Sequence, residues 1–306
     1  MSHVVFEPPS GIDRYVADRS TRHRPFIRAT DKEDNMMNIS QALLIGPIAV
    51  AAGTASAQTV YYPGDGITDT TDPIGVFGDA APGFGTGSFQ ANGATKTAIN
   101  MSPEILFGSG ASFTIDDIAN ISFWTKQTVL PSDPGTYLNW YLEIYTATEA
   151  DGQDDSWYRK RINFEPYFSP DLSDANQPAN SWVQWSTDAS ANQLRVFDAN
   201  RGASGSVFGT YTDPFLTDLQ AGPVNWSTFN AAYSSTPATY ETDSVWFMAI
   251  STGSGWASGF DGQVDGVTVT LTNGQIATID FEAIPAPGAA SLFALAGLAV
   301  SRRRRS

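Results

Sequence analysis

Between Gln58 and Ala283 the apolar residues of several short runs recur at every second position, and no twelve-residue window carries convincing three-to-four spacing of a helix. In Asn139-Trp140-Tyr141-Leu142-Glu143-Ile144-Tyr145, the residues Trp140, Leu142 and Ile144 share one face. Val267, Val269 and Leu271 alternate with Thr268, Thr270 and Thr272. A period of two is that of a pleated strand with one buried side. Ser244 to Ile250 is apolar on both faces and predicts a central strand. Ile121–Lys126, Trp157–Glu165, Trp182–Trp185 and Gln193–Phe197 are rich in the aromatic and β-branched residues that suit strands. Turn signals separate these runs: Ser132-Asp133-Pro134-Gly135, Asp151-Gly152, Asp261-Gly262 and Asn273-Gly274. The last lies between two apolar strands and predicts a hairpin. Many short strands punctuated by Gly and Pro predict an all-β domain, an antiparallel β-sandwich of the jelly-roll kind, over residues 58–283.

Both ends depart from this pattern. Met36 to Gln41 leads into the apolar run Ala42–Ala52, which is shorter than the ~20 residues a membrane-spanning helix needs. Ala55-Ser56-Ala57 follows, a small-x-small cleavage signature before Gln58. Residues 36–57 therefore read as a secretory signal peptide, with Ala55 and Ala57 defining the cleavage site. No Lys or Arg stands between Met36 and the apolar run. Lys32-Glu33-Asp34 can be encoded by a ribosome-binding sequence just upstream of the Met36 codon. Residues 1–35 are accordingly expected to be either a mis-assigned start or a disordered extension.

The other end runs Ile284-Pro285-Ala286-Pro287-Gly288, then the apolar stretch Ala289–Val300, then Ser301 and Arg302, Arg303, Arg304 and Arg305. A proline break, a short hydrophobic helix and a terminal arginine cluster leave the arginines cytoplasmic and the preceding domain outside. This order resembles the PEP-CTERM sorting tail of Gram-negative surface proteins, in its Pro-Ala-Pro-Gly form. It departs from that family at Ala286, where Glu is usual. The resemblance implies that residues 284–306 are a sorting and anchoring tail, inserted in the membrane until an exosortase-type enzyme processes it near the Pro motif.

Charge and missing residue types then limit the chemistry. Residues 58–283 hold 7 Lys/Arg against 26 Asp/Glu, and neither His nor Cys. Such an acidic surface repels phosphate backbones, so no nucleic-acid partner is expected. Net charge of this size keeps a protein dispersed. Without His or Cys there is no Ser-His-Asp or Cys-His site, no ordinary zinc site and no disulfide.

Carboxylates remain for acid–base work. Glu143 shares a strand face with Tyr141 and Tyr145, and Glu165 alternates with Trp157, Arg159 and Arg161. Such a face is either a sugar cleft or, more simply, a solvated outer surface. No catalytic residue is expected, and an enzyme reading would rest on Glu143 and Glu165 as a close pair of buried carboxylates in an aromatic cleft.

Aromatic rings stack on pyranose faces, and all eight Trp lie in the middle segment. Trp157, Trp182, Trp226 and Trp256 are the candidate ligand contacts. Trp182 and Gln184 share one face while Val183 and Trp185 share the other, and one of each pair is expected in the core. Gly255-Trp256, Phe260 to Val269 and Ile279-Asp280-Phe281-Glu282 resemble the closing strands of concanavalin-like lectin and carbohydrate-binding modules. That resemblance admits a structural Ca²⁺, though no cofactor is required. The candidate ligands are Asp65, Asp69 and Asp72 in one acidic loop. A second loop holds Asp151, Asp154 and Asp155, and Asp261 and Asp265 flank the last turn; plain turn aspartates are the simpler reading of each.

The sequence thus predicts an exported, surface-sorted structural or adhesive protein of the envelope or extracellular matrix, with polysaccharide as its candidate partner. The alternative is a secreted, carboxylate-dependent glycan-active enzyme.

Overall fold

A computed structural model describes residues 56–67, 70–93, 96–133, 138–147, 158–188, 191–199, 215–224, 238–253 and 260–283. All of them belong to one compact unit, Thr54–Ser306. The signal and tail assignments at Ala55, at Pro285 to Gly288 and at Arg302 to Arg305 fall outside the described residues, as do Asp69, Asp151, Asp154, Asp155, Trp157, Trp226 and Trp256.

Described secondary structure is mostly β, as the alternation predicts. The strands are β1 (Ser56–Tyr61), β2 (Ile74–Phe77), β3 (Gly87–Gln90), β4 (Ala98–Met101), β5 (Ile118–Lys126) and β6 (Tyr141–Thr146). They continue with β7 (Arg161–Glu165), β8 (Trp182–Ser186), β9 (Arg195–Asp198), β10 (Val245–Ser251), β11 (Gln263–Leu271) and β12 (Ile276–Phe281). Two one-turn helices, α1 (Pro103–Phe107) and α2 (Leu216–Gln220), depart from the helix-free expectation. They are too short to show a periodicity. The first is set by its cap instead: Ser102 Oγ accepts the Ile105 amide, and Pro103 opens the turn with no N–H to lose.

The strands form two sheets. One runs β4-β10-β6-β7-β9, with every neighbouring pair antiparallel. The predicted central strand is β10, hydrogen-bonded on both edges. In the other, seven-stranded sheet the long β11 pairs with β5 along one edge, and β5 with the edge strand β8. Along its other edge β11 pairs first with β3, through Gln263 and Val264, and then with β12, from Val267 to Thr270. The sheet therefore forks at Asp265-Gly266. Gly266 has φ +59°, and a Cβ there would meet the Phe84 ring at 2.4 Å. Only glycine allows both the left-handed backbone and that close approach.

One pairing differs from the antiparallel expectation: β1 lies parallel to β12, from Ser56 opposite Ile276 to Tyr61 opposite Phe281. The antiparallel edges of β12 and β11 are already used, so the first strand of the domain joins the free edge of the last. The hairpin between β11 and β12 turns at Asn273-Gly274 as predicted. Gly274, at φ +87°, donates its amide to the Leu271 carbonyl at 2.9 Å.

Buried apolar side chains from both sheets form one continuous cluster, including Phe89, Ile121, Phe123, Val267 and Val269 from one and Leu142, Ile144, Ile162, Phe164, Met248 and Ile250 from the other. Trp140 and Trp185 are fully buried, and each indole N–H has a partner: Trp140 the Gly262 carbonyl at 2.7 Å, Trp185 the Thr125 hydroxyl at 2.9 Å. Partnered N–H groups make such large aromatics cheap to bury. Val183 and Trp185 are thus the core pair of β8, and Trp182 and Gln184 point away.

Candidate functional site

The core claims Leu142 and Ile144 of β6 and Ile162 and Phe164 of β7, so alternation turns Tyr141, Glu143, Tyr145, Arg161, Asn163 and Glu165 to the opposite face of the five-stranded sheet. Register brings them together. Glu143 lies opposite Asn163, and Tyr145 opposite Arg161. On the other side Ser251 lies opposite Tyr141, Ala249 opposite Glu143 and Phe247 opposite Tyr145. Asn100 of β4 comes next, opposite Ala249. Arg195 and Phe197 of β9 extend the row from Glu165 and Asn163.

Glu143 is fully buried, so a solvated outer face is not what this sheet presents there. Its carboxylate accepts from Lys96 Nζ at 3.2 and 3.3 Å, from Ser251 Oγ at 2.8 Å and from Tyr141 OH at 3.4 Å. Arg161 Nε lies 3.8 Å away, an ion pair rather than a hydrogen bond. A buried carboxylate is tolerated only with this kind of satisfaction.

Glu165, two positions along β7 from Asn163, accepts from the Asn163 amide at 3.2 Å. Burial raises its pKa to about 7; the Asn163 hydrogen bond works against this and the Glu143 charge adds to it. Tyr141 is held well above the usual tyrosine range, first by burial and then by Glu143 and Glu165. Tyr145 is raised by the same burial and by Glu143. Burial alone would lower Arg161, but the Glu143 carboxylate and the surrounding tyrosines outweigh it and hold the guanidinium charged. The aromatic wall continues as Tyr145 stacks on Phe247, with centroids 4.3 Å apart, and meets Tyr158 edge-on at 5.0 Å.

Three buried polar atoms on this face have no hydrogen-bond partner: Asn100 Oδ1, Arg161 Nε and Asn163 Oδ1. Buried polar atoms are nearly always satisfied by protein or by bound molecules. Two acceptors and a donor left without a hydrogen bond among buried tyrosine rings are suited to the hydroxyl of an ordered water.

The face thus brings together Glu143, Glu165, Tyr141, Tyr145 and Arg161 from the sequence reading. Nothing in the local sequence pattern singles out Lys96, Asn100, Asn163 or Ser251. Asn163 shares a face with Glu165 by alternation; the other three enter only through strand pairing.

The remaining candidates lie elsewhere. Trp182 is half-buried, and its indole N–H donates to Asp79 Oδ1 at 3.1 Å, next to the Lys126–Asp79 ion pair. Asp65 closes a local turn by accepting the Tyr62 amide at 3.0 Å, and Asp72 is exposed. No group of three His, Cys, Asp or Glu among the described residues is arranged to hold a metal ion.

Asp265 is corrected by the structure. It is not a turn residue but sits inside β11, fully buried at the fork. There its carboxylate accepts the amides of Gly266 at 2.7 Å, Ala81 at 2.9 Å and Phe281 at 3.1 Å. It supplies the acceptor that the interrupted ladder lacks. Asp280 and Glu282 hold the adjoining loop in the same way, through the amides of Gly85 and Thr86.

Comparison of the chain with protein-family models, with curated proteins and with solved structures finds no match.

Proposed function

We propose that this chain is an exported, surface-sorted structural or adhesive protein of the envelope or extracellular matrix, and that its β-domain, a jelly-roll sandwich, binds polysaccharide on the polar face of the five-stranded sheet. The carrying observation is the row of tyrosines, carboxylates, an amide and a guanidinium that strand register gathers on one sheet face: Tyr141, Tyr145, Glu143, Glu165, Asn163 and Arg161. A sugar offers an apolar face to aromatic rings and hydroxyls to amides and carboxylates, the groups this row supplies. Two sheets contributing to one apolar cluster support the sandwich reading.

The test is a polysaccharide panel probed with the full chain at low and high Ca²⁺. Binding to one class of glycan, weakened at least tenfold by Asn163→Ala in a variant still folded by circular dichroism, is the expected result. A flat response across the panel overturns it. Export is tested by reading both mature termini from the native surface fraction. An N-terminus at Gln58 and a C-terminus short of Arg302 are expected; an intact chain from Met1 to Ser306 in the cytosol overturns the sorting assignment.

One observation favours the enzyme reading as a second possibility. Glu165 carries a pKa of about 7 on the same face as the ion-paired Glu143. A carboxyl able to hold its proton near neutrality beside a second carboxylate is the arrangement a glycan-cleaving acid needs. Release of reducing ends or unsaturated sugars from a bound polysaccharide, abolished by Glu165→Gln with binding retained, would establish it. Binding without any product would leave the lectin-like reading alone.

A further inference from the structure

A second buried polar cluster lies apart from that face and uses none of its residues. Lys160 stands just before β7 and Asp243 just before β10, and both side chains are 1% exposed. Lys160 Nζ donates to Asp243 Oδ2 at 2.6 Å and to the Thr239 carbonyl at 2.6 Å. It also lies 4.9 Å above the Tyr240 ring centroid. The hydroxyl of Tyr240 donates to Asp198, itself buried. On the far side, Arg159 Nη1 is 3.1 Å from the other Asp243 oxygen, Oδ1.

Both backbones are fixed. The Lys160 amide donates to Thr146 Oγ1 at 2.9 Å, and its carbonyl accepts the Thr146 amide at 3.1 Å. Asp243 donates its amide to Tyr240 and accepts from Ile115. An amine and a carboxyl are therefore held in contact, away from water, by strands that cannot separate without unfolding.

We propose that Lys160 and Asp243 become joined by an intramolecular amide bond that forms after the chain folds. In water an ammonium and a carboxylate do not condense. Burial removes the hydration that keeps both charged, so a proton can pass from Nζ to Oδ2 across the short hydrogen bond and leave a neutral amine facing a neutral acid. The amine attacks Cγ, one bond beyond Oδ2 and close to the ~3–3.5 Å of a near-attack pair. Negative charge gathers on Oδ1, beside the Arg159 guanidinium. Oδ2 already carries one transferred proton; it takes a second from the attacking nitrogen and leaves as water. One C–N bond forms, one C–O bond breaks, one water departs, and no oxidant or co-reactant is consumed.

The bond would tie the segment before β7 to the segment before β10, the two strands that flank β6. It gives a chain without cysteine the covalent staple that disulfides give other exported proteins. It holds whether or not the sheet face binds a glycan.

Peptide mapping of the full, folded chain decides the matter. Digestion after glutamate, which leaves the Glu165–Pro166 bond intact, should yield a branched species in which the 150–241 peptide carrying Lys160 is bonded to the 242–282 peptide carrying Asp243, lighter by one water than the two together. Lys160→Arg should give the two linear peptides only. Recovery of both peptides solely in linear form from the wild-type chain, folded by circular dichroism, overturns the proposal without reliance on any variant.

Discussion

Replacing Asp265 by Asn tests the energetics of the fork in the seven-stranded sheet. The two side chains have nearly the same shape, and Asn is neutral at every pH. Burial pushes the Asp265 carboxyl up to about 7, with the nearby Asp280 charge adding to the shift and the amides of Ala81, Phe281 and Gly266 opposing it. An unfolded aspartate titrates near 3.9. Below about pH 4 the group is neutral in both states, and the variant should be less stable by ~1–3 kcal/mol, because the Asn nitrogen faces the Ala81 amide where an oxygen accepted it. Between about 4 and 7 the unfolded chain gives up a proton that the folded chain keeps. The folded state then binds more protons, so stability falls as pH rises, at about 1.4 kcal/mol per pH unit. The loss is complete above the folded value and reaches at most about 4 kcal/mol. The variant suffers no such loss, so Asp265→Asn should gain on wild type from pH 5 to pH 8. Urea unfolding followed through the buried Trp140 and Trp185, at moderate salt, measures the difference. Salt screens the repulsion among surface carboxylates, and subtraction removes the contribution of Glu165, which titrates in the same window. A difference that stays flat, or moves toward wild type, would refute the reasoning. It would mean that the three backbone donors hold the carboxylate ionised despite its burial.

Glu143→Gln should destabilise the domain by about 1–2 kcal/mol in urea, because Lys96 and Arg161 lose their counter-ion; their partial exposure keeps the cost below that of a fully buried pair. Added salt should restore part of that loss. Gly266→Ala should cost about 2–4 kcal/mol through its positive φ and the Phe84 contact, and Phe84→Leu in the same chain should recover a portion, read as a Tm shift. Trp182→Phe removes one hydrogen bond to Asp79 and should cost only about 1 kcal/mol in a thermal melt. A much larger loss would make Trp182 a packing residue of the outer face.

Alternation along the chain determined much of this molecule by itself. Trp140, Leu142 and Ile144 are buried as their spacing requires, as are Val267, Val269 and Leu271, and Asn273-Gly274 turns where the two apolar runs meet. These features are local: a period of two or a glycine at a positive φ is written in adjacent residues. The same spacing put Glu143 on a face with Tyr141 and Tyr145, but it could not say whether water or protein covers that face. Lys96 and Ser251, 47 residues before Glu143 and 108 after it, answer the question, and they reach it only through the pairing of β10 with β6 and β4. Asp265 reads as a turn residue because it flanks the Asp261-Gly262 turn, and only the change of partner from β3 to β12 makes it a buried acceptor. Lys160 meets Asp243 across 83 positions of sequence. Strand order decides such encounters, and strand order is set by the whole hydrophobic surface seeking burial at once, not by any short run of residues.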